Sequence, residues 1–108
     1  MTLSATMSIA VSGMQASSRQ ISATANNVAN ALTPGYARQV TSLETRPGGG
    51  VAATVNSAPV TEIDKDFSVD LATEILDLSM AEQTFKANAA VFETGADMWD
   101  VLMTMVKD

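Results

Sequence analysis

Apolar and small residues recur through the first thirty positions in alternating steps of four and three. Leu3, Met7, Ala10, Met14, Ser17, Ile21, Thr24, Val28 and Ala31 fall on this line, the seven-residue repeat of a helix face packed against another helix. Gly13 lies within the segment at about 1 kcal/mol relative to Ala, which implies a close backbone approach by a neighbour or simple tolerance. The helix should stop before Pro34, because proline disfavours helical geometry at Thr33. Pro34-Gly35 fits the centre of a type II turn with positive φ at Gly35. The pattern thus predicts an N-terminal heptad helix over 1–33.

Residues 36–45 and 51–56 flank Arg46-Pro47-Gly48-Gly49-Gly50 and read as a short β-hairpin. A lone hairpin is marginal in water, so this one must lean on the helices or on another chain. The Pro-Gly turn, the hairpin and a connector over 57–67 make up the middle segment, 34–67. A second heptad helix is expected over 68–108, with Ser68 as its N-cap. Its seam reads Leu71, Ile75, Leu78, Glu82, Phe85, Ala89, Phe92, Ala96, Trp99, Met103 and Val106. From Met80 a second set follows on nearly the opposite side: Thr84, Ala87, Val91, Thr94, Met98, Val101 and Met105. Only the strip carrying Lys86, Glu93, Asp97, Asp100 and Lys107 is left for water.

The fold class expected is therefore mainly α: two long terminal helices pairing as a coiled-coil-like hairpin, with a short β-hairpin between them, in one assembly domain. A helix apolar on two sides asks for more cover than so thin a hairpin offers, and packing between subunits supplies it most simply. The residues expected at that interface are Leu3, Met7, Met14, Ile21 and Val28 on the first helix. On the second they are Leu71, Ile75, Leu78, Phe85, Phe92, Trp99, Met103 and Val106.

Composition narrows the function. The 108 residues are 46% apolar but only 5% aromatic, with seven Met and no Cys or His. Thiolate and imidazole chemistry is thus absent, and no metal or other cofactor is expected. All twelve acidic residues lie at or after Glu44, so residues 1–43 carry +2 and residues 44–108 carry −8. Nucleic acid is an improbable partner for so acidic a chain. No apolar run approaches a membrane span, and the N-terminus lacks the basic and unbroken apolar regions of a cleaved signal. Asp64-Lys65-Asp66-Phe67-Ser68-Val69-Asp70 opens like a calcium loop, but Val69 and Ile75 stand where that loop needs Gly and Glu, so it reads as an acidic helix entry. Asp70, Glu74 and Asp77 share a helix face best explained by solvation. Neither an enzyme nor a small-molecule site is expected.

Asn26, Asn27 and Asn30 crowd the end of the first helix, where their side chains can either terminate it or make a specific polar contact with a neighbouring subunit. With Thr33, Pro34, Gly35 and Tyr36 they also form a recognisable signature. Residues 12–39, SGMQASSRQISATANNVANALTPGYARQ, resemble the N-terminal signature of the bacterial flagellar rod and hook proteins, and residues 69–106 resemble that family's C-terminal helix. About residues 46–67 are unmatched. Phe85 stands where the family more often has Tyr, and the middle is too short for the extra β-domain of the larger members. The resemblance implies a minimal rod-type structural subunit of the flagellar basal body. It would assemble with itself and with other rod and hook proteins through its terminal helices and transmit torque in the periplasmic rod. It also implies delivery by the flagellar type III export apparatus without a cleaved signal peptide. The alternative from a different class is a soluble helical-hairpin adaptor that binds one partner protein.

Overall fold

Thr2 starts the first helix: its Oγ1 accepts a hydrogen bond from the Ala5 amide at 3.0 Å, the bond of an N-cap. The computed structural model describes residues 1–61 and 67–107. From Thr2 the chain forms α1 (Leu3–Ala29), then strands β1 (Gln39–Thr45) and β2 (Val51–Ser57), and finally α2 (Leu71–Lys107). The protein is thus mainly helical, two long helices with an antiparallel β-hairpin between them. α1 stops at Ala29, four residues short of the expected end, because Asn30 leaves helical geometry and caps it. Asp70 takes the place expected of Ser68 at the start of α2: its Oδ1 accepts from the Ala72 amide at 3.1 Å and its Oδ2 from the Thr73 hydroxyl at 3.0 Å.

The helices run antiparallel. Asn27 meets Glu74, Gly13 faces Asn88, and Gly95 lies against Met7 and Leu3. On α2 the line covered by α1 is Glu74, Ala81, Asn88 and Gly95, every seventh residue. Glu74, Ala81 and Gly95 on it are buried. The facing surface of α1 is equally small, with Ala10, Gly13, Ala16, Ser17, Ala23 and Thr24 buried. A Cβ on Gly13 would fall 2.5 Å from Asn88 Nδ2, so the two backbones approach closely at this point.

The bulky seam marked on α2 by the sequence is therefore not the row that α1 covers. At 3.5 residues per turn, Leu71, Leu78, Phe85, Phe92 and Trp99 lie about 50° to one side of the contact line. Ile75 and Met103 lie about 100° round on that side, and Val91, Met98 and Val101 fall on the other. Heptad counting selects the bulkiest apolar row, whereas close helix contact forms where side chains are smallest. Glu82, the polar member of the expected seam, points to solvent and pairs with Lys86 at 2.7 Å.

The hairpin register runs from Gln39 opposite Ser57 to Thr45 opposite Val51. It packs on α1, and neither strand packs on α2. Ala53 is buried beneath it, Arg19 Nη1 donates to the Ala53 carbonyl at 2.8 Å, and the Val51 amide donates to Ser12 Oγ at 3.1 Å. Gly50, at φ +91°, lies so close to α1 that a Cβ would come 2.6 Å from Ser12 Oγ. The tip of the hairpin is thus fitted to the helix.

Among the described residues the buried apolar side chains are Ala10, Ala16, Ala23, Ala53 and Ala81, with no Leu, Ile, Val, Phe, Met or Trp joining them. Helix contact through such residues is intolerant of bulk. Gly13→Leu should push α1 from α2 and lower stability by about 1–3 kcal/mol. Gly95→Ala crowds the flexible Met7 side chain, touches Leu3 at ordinary contact distance and gains helix propensity, so it should stay within about 1 kcal/mol of the parent. Thermal unfolding followed by circular dichroism separates the two, and equal effects would contradict the contact line.

Candidate functional site

The segment between α1 and β1 is built around one side chain. Asn27 is 1% exposed, and all four of its hydrogen-bonding positions are used. Its Nδ2 donates to the Gln39 carbonyl at 2.8 Å and to Glu74 Oε2 at 3.1 Å. Its Oδ1 accepts from the Tyr36 hydroxyl at 3.0 Å and from the Gln39 amide at 2.7 Å. A primary amide offers two donors and two acceptor lone pairs, so this is complete satisfaction in a buried position.

The neighbouring motif residues shape the loop. The Asn26 carbonyl accepts from the Asn30 amide at 3.1 Å and from Asn30 Nδ2 at 3.0 Å, closing the helix. Thr33 donates to Asn30 through its amide at 2.9 Å and its hydroxyl at 3.2 Å. The Tyr36 amide reaches back to the Thr33 carbonyl at 3.3 Å around exposed Pro34 and Gly35, whose φ is +74°. That is the turn expected of Pro-Gly. Asn30 thus serves as the terminator, while the Asn26 side chain reaches out to Gln39, its Nδ2 donating to Oε1 at 3.5 Å. Asn27 does neither of the things proposed for the cluster: it joins three parts of its own chain.

Glu74 completes the cluster. It is 0% exposed, and its carboxylate accepts from Asn27 and pairs with Arg38 Nε. Arg38 Nη2 also reaches Asp77 Oδ2 at 3.3 Å. A solvated carboxylate was the expectation for Glu74, and burial with a cation and an amide replaces it. Ser68 Oγ donates to the Tyr36 carbonyl at 2.6 Å, tying the approach to α2 to the same loop. Ser68 and Asp70 of the calcium-like stretch therefore have structural partners, while Asp64, Lys65 and Asp66 lie outside the described residues. Burial, and then the negative charge of Glu74, push the Tyr36 phenol above its ordinary value of 10.0. Arg38, Gln39 and Glu74 were not foreseen as a group. The available signal was Arg38 itself, an isolated cation in a stretch without acids.

The second candidate surface is the outside of the helix pair. Leu3, Met7, Met14 and Ile21 are half-buried between the helices or at their edge, and Val28 is exposed. Leu71, Ile75, Leu78, Phe85, Phe92, Trp99, Met103 and Val106 all remain exposed, from 36% at Phe92 to 82% at Val106. The structure gathers these α2 residues along one side of the line that α1 covers, with Val91, Met98 and Val101 on the other, and all of them keep a third or more of their surface in the open. Because Leu3 already lies against Gly95, residues 99–107 project about 13 Å beyond the start of α1.

This geometry defines a helical-hairpin protein with a pinned signature loop and outward-facing apolar rows. Residues 7–36, from the second turn of α1 through the Pro-Gly turn to Tyr36, match the family model described as flagella basal body rod protein. Over this segment the chain is similar to a flagellar basal-body rod family. The matched segment is less than a third of the chain, and it holds Asn27 and Tyr36 while their partners Gln39 and Glu74 lie beyond it. No curated protein matches the chain. No helix among the described residues is long and apolar enough to cross a membrane.

Two outcomes test the cluster. Asn27→Ala leaves the Tyr36 hydroxyl and the Gln39 backbone groups without this partner and Glu74 with Arg38 alone, and should lower stability by about 3–5 kcal/mol, whereas Asn26→Ala should stay near 1 kcal/mol or less. Hydrogen exchange at the Gln39 amide reads the difference directly. Tyr36 gives a pH dependence of known sign. The fold favours the neutral phenol, so its contribution is present below about pH 10 and lost as pH rises through the elevated value. Alkaline unfolding curves should show this loss in the parent and not in Tyr36→Phe.

Proposed function

We propose that the chain is a structural subunit of the flagellar basal-body rod, which assembles with copies of itself and with other rod and hook proteins through α1 and α2. The observation that carries this reading is the imbalance of burial. Among the described residues the only fully buried apolar side chains are alanines, while one row of large apolar side chains runs along α2 from Leu71 to Val106 and a second starts at Met80, each of these side chains at least 36% exposed. Exposed apolar surface on this scale marks an interaction site, and rows on two sides call for several neighbours at once. A tubular layer of helices supplies them. The likeness of residues 7–36 to a flagellar rod family supports the rod as the structure to be built.

In this reading the subunit is delivered through the flagellar export apparatus and settles in the periplasmic rod, where the packed helices transmit torque. The dissociated chain is only loosely folded, because ordering each residue costs roughly 1–2 kcal/mol in backbone entropy and an alanine-lined contact repays little of it. A helical-hairpin adaptor would use one face and stop at a defined small complex.

Sedimentation at rising concentration, combined with electron microscopy, distinguishes the two. A rod subunit should form open helical or heterogeneous polymers, because contacts that do not close continue. Phe92→Asp should abolish polymer while leaving the hairpin cluster intact, since a carboxylate on a buried apolar row has no compensating partner. Normal polymerisation of that variant, or a parent that stops at a dimer, would remove the rod assignment.

A further inference from the structure

Methionine is the commonest large apolar residue over the last ten residues of α2, the stretch that runs past the start of α1. Met98 and Met103 are each 54% exposed and Met105 is 71% exposed, within the last three turns of the helix. The methionines of α1 differ: Met7 lies against Gly95, and Met7 and Met14 are half-buried. Met98 also sits beside Leu3, Thr6 and Gly95 in the groove where α1 begins. The three thioethers therefore occupy both the edge of the helix pair and its projecting end.

We propose that Met98 and Met105 on one flank of α2 and Met103 on the other are oxidation-sensitive, and that their conversion to sulfoxide by hydrogen peroxide disables the projecting end of α2 for assembly. The proposal rests on the reading that the apolar rows are the assembly surface. In the reaction a lone pair on Sδ attacks one peroxide oxygen, the O–O bond breaks and an S–O bond forms. The departing oxygen takes up a proton and leaves as water, so sulfur is oxidised by two electrons and peroxide is reduced. The product replaces a flexible apolar side chain with a polar, chiral one. On a row that another helix must cover, that polar oxygen needs a hydrogen-bond partner which a face of Leu, Val and Met cannot give. The change is reversible, because methionine sulfoxide is reduced enzymatically. With no Cys in the chain, thiol oxidation does not compete. Assembled subunits would be protected by the cover that the free chain lacks, which makes the free subunit the vulnerable form.

The test uses the full chain treated with hydrogen peroxide, peptide mass spectrometry at each methionine, and sedimentation of the treated protein. Met98, Met103 and Met105 should oxidise about tenfold faster than Met7 and Met14, and the oxidised chain should need about tenfold more protein to polymerise. Methionine sulfoxide reductases should restore the original behaviour. A variant with Met98→Leu, Met103→Leu and Met105→Leu together keeps the surface apolar at similar volume and should polymerise alike before and after peroxide. Equal oxidation rates at all sites, or normal polymerisation of the oxidised parent, would overturn the proposal while leaving the rod reading in place. Loss of polymer by the peroxide-treated triple variant would shift the effect to Met1 or Met80 and overturn it too. An untreated parent that never polymerises would overturn both.

Discussion

Glu74 is a fully buried carboxylate, and the rest of the fold is arranged so that it is never alone. An isolated buried charge is destabilising by several kcal/mol, so its position on α2 fixes where a cation and a hydrogen-bond donor must be. Arg38 supplies the first from the loop, and Asn27 supplies the second from α1. Since neither strand packs on α2, this cluster is also how the loop and the start of α2 are held in register. Asn27 bonds simultaneously to the Gln39 backbone, where β1 begins, so one amide aligns a helix end, a strand start and a second helix. Removing any member takes a bond from its neighbours in a largely buried setting, which makes the cluster cooperative and selective for one arrangement.

From that anchor the helices separate according to side-chain size. The contact line carries Ala81, Asn88 and Gly95 on one helix and Ala10, Gly13 and Ser17 on the other, so backbones lie close and large side chains are pushed to the flanks. The same choice that brings α1 and α2 together therefore leaves Phe85, Phe92 and Trp99 facing outward. Intrachain closeness and intermolecular surface are two results of one arrangement of small and large residues.

Much of this was legible in the sequence, and for identifiable reasons. The helix, hairpin, helix order followed from seven-residue periodicity, from Pro34-Gly35 and from the glycine-rich turn at 48–50, all of which are local signals. The ends of the helices were less legible, since Asn30 and Asp70 compete with nearby residues that also cap well. The face of α2 covered by α1 was not legible, because hydrophobic periodicity reports which residues avoid water without saying whether their cover comes from the same chain. Glu74 was read as solvated for a related reason: its burial depends on Arg38 and Asn27, which are 36 and 47 residues away in the chain. A run of three glycines also hides which of them the backbone needs. Gly48 has open space around it, yet its φ of +89° restricts it as much as Gly35.

Among the described residues the fully buried apolar side chains are all alanines, and this also governs how the chain responds to temperature and denaturant. Unfolding exposes little apolar area per residue when the buried side chains are single methyl groups, and both the heat-capacity change and the denaturant slope scale with that area. A separate chain should therefore have a shallow stability curve and a broad, weakly cooperative transition. Once neighbours cover the flanking rows of α2, the newly buried Phe, Trp, Leu and Met surface would enter the same quantities. The sharpness of melting then becomes a property of the assembled structure.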